Sequence, residues 1–286
     1  MMAPLKVTAS VLVDGLDHPE GVAYDHVRGI LYAGGEAGQI YRIDPEAGTH
    51  EQIARTPGFV LGVAVDGRGR LVICDSTDAA VWVWDGSNAI RAIDRVAGRQ
   101  LRMPNYAAFA PDGTLYFTDS GAWNADSGAV LAVEPDGSGR VVSDELARFP
   151  NGCAVTSDGS ELWVLQSEGH DLHRIDLARG GKPERILSLP GTVPDGIAFT
   201  EDGGAVISCY RPDRIYYLDP DGRVETLIED PQGTLLAAPT NVCFVGDERR
   251  RLVSANLGRW HLTAIDTTLT GAVPHAPAQW AFDADA

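Results

Sequence analysis

The sequence has few basic residues, few cysteines and no long apolar run. Lysine and arginine total 23 against 40 aspartates and glutamates, so the formal net charge is −17. A surface this acidic repels phosphate groups, and we therefore expect no nucleic-acid partner. No apolar stretch approaches the roughly 20 residues that a membrane-spanning helix needs, and we expect no membrane partner either.

The cysteines and the N-terminal residues point to the cellular compartment. The four cysteines are far apart, lack the close spacing of metal-binding pairs, and each falls within an apolar strand pattern. We therefore predict buried free thiols. The first 16 residues lack a charged segment followed by a continuous apolar stretch, the pattern of a cleaved signal. These features together predict a cytoplasmic protein.

Glycine is plentiful, and it accompanies an internal repeat. There are 32 glycines and 17 prolines, as many short strands and tight turns require. Six segments share a small residue, an alternating apolar strand, a turn and a second apolar strand. They begin at Gly21, Gly62, Ala107, Gly152, Gly196 and Val242. This period of 41 to 46 residues suits the four strands of a propeller blade, and helical periodicity is absent.

The repeat predicts an all-β protein, a six-bladed β-propeller with four strands per blade. The sixth unit lacks a clear fourth strand after Ile265, whereas Val7–Val13 forms an extra strand before the first repeat. Placing this N-terminal strand outermost in blade six closes the ring and leaves few free edges. We expect one domain over residues 1–286. A β-sandwich or two stacked β-domains is the alternative, but neither explains the displaced strand.

Polar residues recur at one position of the repeat. The innermost strand of each blade lines the central channel, so equivalent positions of the six units form a ring. The residues that precede the small residue of each unit are Glu20, Leu61, Tyr106, Asn151, Asp195 and Asn241. Carboxylate and amide oxygens suit a hard divalent ion. The alternative is that these side chains cap strand starts or bind trapped water.

The segments around these positions resemble the gluconolactonase/regucalcin family. The resemblance rests on HPEGVAY, MPNYAAF, FPNGCAV, VPDGIAF and PTNVCF, in the family's order from about Asp17 to Asp266. It implies that Glu20, Asn151 and Asp195 are the metal ligands. Ca²⁺ is the expected ion, with Mg²⁺, Mn²⁺ or Zn²⁺ as alternatives.

The third blade departs from the family's pattern. By the resemblance, Asn105 contacts substrate, and Arg102 is a second candidate although it lies one residue farther away than usual. Tyr106 replaces an acidic residue at a predicted channel position, and Asn241 is a further candidate contact. We expect Tyr106 to narrow the pocket and to favour apolar lactones over sugar lactones.

The resemblance implies hydrolysis of a lactone, a small-molecule ring ester, with Asp195 as the candidate general base. Two alternatives remain. One is a related propeller enzyme that performs a strictosidine-synthase-like condensation or phosphotriester hydrolysis. The other is a non-catalytic binding propeller with a structural metal. The sequence leaves the oligomeric state open.

Overall fold

The computed structural model describes residues 6–283, so residues 1–5 and 284–286 of the predicted domain lie outside the described part. Alternating apolar residues and glycine-rich turns produce 26 strands. In chain order they are β1 Thr8–Asp14, β2 Val22–Asp25, β3 Ile30–Gly34, β4 Gln39–Asp44, β5 Thr49–Arg55, β6 Val60–Val65, β7 Leu71–Asp75, β8 Ala80–Trp84, β9 Ala89–Ile93, β10 Arg95–Val96, β11 Arg99–Gln100, β12 Pro104–Phe109, β13 Leu115–Asp119, β14 Ala129–Val133, β15 Gly139–Ser143, β16 Pro150–Val155, β17 Glu161–Gln166, β18 Asp171–Asp176, β19 Glu184–Ser188, β20 Val193–Phe199, β21 Ala205–Arg211, β22 Arg214–Leu218, β23 Val224–Glu229, β24 Pro239–Val245, β25 Arg251–Asn256 and β26 His261–Asp266.

The strands form six antiparallel four-stranded sheets, which confirms the predicted six-bladed propeller. Blades one to five are β2 to β5, β6 to β9, β12 to β15, β16 to β19 and β20 to β23, each in chain order. Their innermost strands follow one another around the channel, and β24 packs against β2 to close the ring. The short hairpin β10–β11 is inserted between blades two and three.

The N-terminal strand completes blade six, as predicted. The order of this sheet is β1-β26-β25-β24, and Thr8 pairs with Asp266 while Asp14 pairs with His261. The observed strand, Thr8–Asp14, is displaced by one residue from the predicted Val7–Val13. Blade six therefore combines the N-terminal strand with the last three strands of the chain, and it has four strands like the other blades.

Apolar side chains fill the spaces between blades. The buried clusters combine residues of neighbouring sheets, such as Phe109 and Leu131 of blade three with Val72 and Val83 of blade two. The four cysteines are free, as predicted, and all but the half-buried Cys243 are buried. In the part of the chain from residue 6 to residue 283, no helix has the length and apolar character needed to cross a membrane.

A C-terminal strap, residues 269–282, follows the last strand and was not predicted. It crosses the end of the channel at which the innermost strands finish. Ala272 donates its backbone N–H to Phe199 of blade five, and Gly67 of blade two donates to Pro277. Trp280 anchors the strap because its ring is buried beside Phe109 and its Nε1 donates to Asp66 Oδ2 over 3.0 Å.

Candidate functional site

The strand pairing gives the true register of the channel positions. Pro104, Pro150, Pro194 and Pro239 occupy equivalent places, and each is followed by a register shift before the residue three positions later. The six equivalent residues at the start of the innermost strands are therefore Glu20, Leu61, Asn105, Asn151, Asp195 and Thr240. The alignment from sequence was one residue out in blades three and six, where it placed Tyr106 and Asn241 instead.

The register error arose because two blades have a larger residue where other blades have glycine. Gly152 and Gly196 follow the polar residue in their blades, where a Cβ would lie only 2.3 Å from Asp195 O and 2.6 Å from Thr240 O. The close approach of neighbouring strands therefore requires glycine there. Tyr106 and Asn241 occupy the same place in blades three and six. Aligning on the small residue consequently displaced both blades, whereas the preceding proline would have given the correct register.

Asn105 and Asn151 are held in the same way. Asn105 Nδ2 donates to Ser120 Oγ over 2.9 Å, and Ser120 Oγ donates to Pro150 O over 2.7 Å. In the next blade, Asn151 Nδ2 donates to Ser167 Oγ over 3.1 Å. Ser167 Oγ then donates to Pro194 O over 2.7 Å. A hydroxyl has one hydrogen to donate, so each serine must accept from the amide NH₂ group.

The two serines thus fix the orientation of both amides. Ser120 and Ser167 were missed from the sequence, although each directly follows the second strand of its blade. Their effect is to turn Asn105 Oδ1 and Asn151 Oδ1 away from the serines. Both oxygens are buried and have no hydrogen-bond partner within the described chain.

Asp195 joins this cluster through Asn151. Its Oδ2 accepts a second hydrogen bond from Asn151 Nδ2 at 3.1 Å, whereas its Oδ1 is buried without a partner among the described residues. Asn241 lies nearby because its backbone N–H donates to Glu20 O over 3.2 Å. Both polar atoms of the Asn241 side chain are also unpartnered in the described part of the chain.

Glu20 supplies the second carboxylate. Burial raises its pKa well above the usual range, and the charges of Asp195 and then Glu36 raise it further. Burial also raises the pKa of Asp195, although the hydrogen bond from Asn151 opposes this. Two buried carboxylates this close cannot both be ionised at low cost unless a positive charge lies beside them.

The donor set fits a hard divalent cation. Three buried oxygens, Asn105 Oδ1, Asn151 Oδ1 and Asp195 Oδ1, accept no hydrogen bond from residues 6–283, and Glu20 adds a carboxylate. Buried polar atoms are normally paired, so such a group of unpaired oxygens indicates a missing partner. Carboxylate and amide oxygens are the ligands that Ca²⁺, Mg²⁺ and Mn²⁺ prefer.

Other predicted candidates lie in different surroundings. Tyr106 is buried, and its hydroxyl donates to Ile197 O over 3.3 Å, so the side chain reaches from blade three to blade five. Its role as a substrate contact stays a prediction, although the expected narrowing of the pocket rested on the displaced register. Arg102 is exposed, and its side chain borders a surface depression with Arg99 and Ser127.

A second acidic group lies next to the site. The carboxylates of Asp17 and Glu36 and the ring of His18 have ligand-type atoms within 4.8 Å of one another. Asp17 Oδ2 already accepts from Gln39 Nε2 at 2.9 Å, and His18 Nδ1 lies 2.8 Å from Leu257 O. Because of these hydrogen bonds, we interpret Asp17, His18 and Glu36 as residues that stabilise the loop preceding Glu20.

Fold and site together define a class: a six-bladed propeller with a buried carboxylate–amide cluster at one end of its channel. The chain belongs to the SMP-30/Gluconolactonase/LRE-like family, whose characteristic region it matches over residues 18–255. This confirms the family indicated by the channel motifs.

Three known proteins illustrate the similarity. The chain is 28% identical to a gluconolactonase of Zymomonas mobilis over 228 residues, which cover 71% of this chain and 62% of that protein. It therefore spans less than two thirds of that relative's length. A gluconolactonase structure from Xanthomonas campestris superposes with a TM-score of 0.78 at 24% identity, covering 93% and 95% of the two chains. The calcium-binding protein regucalcin from Agrobacterium tumefaciens gives 0.74 at 15% identity, covering 96% and 99%.

Proposed function

We propose that this protein is a divalent-metal-dependent lactonase that acts on a small-molecule ring ester. The observation that carries the proposal is the set of buried oxygens from Asn105, Asn151 and Asp195 that have no hydrogen-bond partner in the described chain, together with the buried Glu20 carboxylate. Family membership and the relatives named gluconolactonase support the reaction class. The cytoplasm is the proposed location.

We assign the metal to Glu20, Asn151 and Asp195, and we place Asn105 Oδ1 beside these ligands. Ca²⁺ is the proposed ion, and the all-oxygen donor set and the likeness to a calcium-binding regucalcin support it. When bound, the ion would polarise the ester carbonyl and stabilise the negative charge that develops on its oxygen.

The protein's own groups orient the reactants and accept the proton. The Asn151 amide holds Asp195 through Oδ2, so the carboxylate is fixed before substrate arrives. Asp195 is also the residue to which we assign the proton of the attacking water. Leu61 fills the one apolar position of the ring and limits water on that side.

Asn105, Asn241, Arg102 and Tyr106 are the proposed substrate-side residues. Asn105 and Asn241 have the strongest support because each has buried polar atoms without partners in the described structure. Arg102 is exposed beside Arg99, where it would meet the distal part of a substrate. Tyr106 has the least support because its hydroxyl is already bonded to Ile197 O.

The test is hydrolysis of a simple γ-lactone and of gluconolactone by protein from which metal has been removed with a chelator. Activity is measured before and after addition of Ca²⁺, Mg²⁺, Mn²⁺ or Zn²⁺. We expect activity only after one of these ions is restored. Acyclic esters and phosphotriesters are assayed in parallel. Turnover of those compounds without lactone hydrolysis would indicate a different propeller enzyme, and metal binding without any turnover would indicate a binding protein.

A further inference from the structure

The end of the channel opposite the polar cluster, here called the lower end, holds a cavity. It has a volume of about 170 Å³ and lies where the innermost strands finish, at the opposite end from the residues that begin those strands. All six blades contribute one equivalent residue to its wall, and each of these residues is small and half-buried. They are Ala23, Ala64, Ala108, Ala154, Ala198 and Cys243.

The cavity is bounded on both sides. Tyr106 lines it and spans from blade three to Ile197 of blade five. Residues 272–276 of the C-terminal strap line it from below. We call Tyr106 the ceiling and residues 272–276 the floor of this lower cavity.

Three polar side chains at the border are already engaged. Asp25 Oδ2 accepts from Arg28 Nη1 at 2.8 Å, and Asp66 Oδ2 accepts from Trp280 Nε1 at 3.0 Å. His275 Nε2 lies 2.9 Å from Thr156 O. Within residues 6–283, none of the buried polar atoms without a partner belongs to a residue that lines this cavity.

The cavity also has an apolar edge. Val27 in the first turn of blade one is 80% exposed, and Val273 in the floor is 49% exposed. Here both border the cavity, so an apolar molecule would meet them on its way in.

We propose that the lower cavity is a second ligand site, which takes an uncharged aromatic ring or short alkyl group. The size supports this, because an apolar cavity of about 150 Å³ in another protein stays dry and binds benzene or xenon. Few free polar groups are available to hold water or a charged ligand. The proposal does not depend on lactonase activity, because the site lies beyond Tyr106.

Benzene and xenon are the probes. Binding of benzene is measured by calorimetry in a sealed cell with the full chain, and crystals pressurised with xenon show where the gas binds. Ala198→Leu places extra methyl groups in the cavity and should weaken benzene binding at least tenfold. Ala178→Leu, at an exposed turn outside the cavity, is the matched control and should leave binding unchanged.

Equal benzene affinity in the wild type and Ala198→Leu would overturn the proposal, as would xenon density that avoids the cavity. If Ala198→Leu fails to fold, Ala154→Val makes a smaller change in the same wall. Xenon binding to the wild type tests the site without any substitution.

Discussion

The two ends of the channel are made by the same six strands but have opposite chemistry. At the upper end, five of the six equivalent positions are polar, with only Leu61 apolar, and several of their oxygens lack partners within the described chain. At the lower end, five alanines and Cys243 occupy the equivalent positions. The upper end is suited to a cation and the lower end to an apolar guest.

The register shift between the two layers explains how neighbouring segments differ so sharply. In blade four, Pro150 pairs with Gln166 and Cys153 with Val164, so one strand contains a residue more than its partner. Such irregularities bend a strand and change the direction of its side chains. Asn151 and Ala154 can therefore both face the channel although they are three residues apart.

The largest expected effect is at the upper end. Asp195→Ala removes a charged ligand and the proposed general base, so lactone hydrolysis should fall by about 10² to 10⁴-fold. Metal affinity, measured by calorimetry, should fall with it. Asp126→Ala changes an exposed acidic residue outside the cluster and serves as the control for net charge. Unchanged metal affinity in Asp195→Ala would remove this residue from the site.

The next largest effect should show that the two ends of the channel are independent of each other. Trp280→Ala removes a buried ring that packs on Phe109 and anchors the strap, so we expect a loss of about 3–5 kcal/mol in unfolding free energy. Metal affinity should stay within experimental error because the ring packs on Phe109 at the lower end of the channel. Chemical denaturation and metal titration of the same variant test both points. Parallel losses in stability and metal affinity would show that the two ends are coupled.

A pH effect is expected at the lower end. Burial, then the charge of Arg249, lowers the pKa of His26 to about 4, while Asp25 opposes the shift and the Tyr24 ring packs against the imidazole. The folded protein therefore favours neutral His26. Its contribution to stability is complete above the unfolded pKa near 6.5 and is lost as the pH falls toward 4.

The slope from this one group is at most about 1.4 kcal/mol per pH unit, and its partial exposure reduces it. His26→Gln should flatten the stability profile between pH 6.5 and 4 relative to the wild type. Denaturation at several pH values measures the difference. A profile with the same slope in both proteins would contradict the assignment to His26.

The sequence predicted the fold because each blade repeats a local pattern. It also predicted that Glu20, Asn151 and Asp195 converge, since equivalent positions of a ring must meet. It did not give the place of Tyr106, because a tyrosine where other blades have glycine displaced the alignment. The strap was missed for another reason: residues such as Trp280 are ordered by contacts with blades two and three, and no local periodicity signals them.

The smallest expected effect tests that register directly. Tyr106→Phe keeps the ring and removes only the hydrogen bond to Ile197 O, so stability should fall by about 0.5–1.5 kcal/mol. If the Tyr106 hydroxyl lies below the polar cluster and only the ring borders the substrate, metal affinity and the KM for lactones should not change, because phenylalanine keeps the ring. Asn105→Ala, one residue away, is the matched comparison and should weaken metal binding because it removes a buried amide oxygen that we place beside the proposed ligands. A change in metal affinity or lactone KM in Tyr106→Phe would place its hydroxyl at the upper end, as the sequence alignment had it.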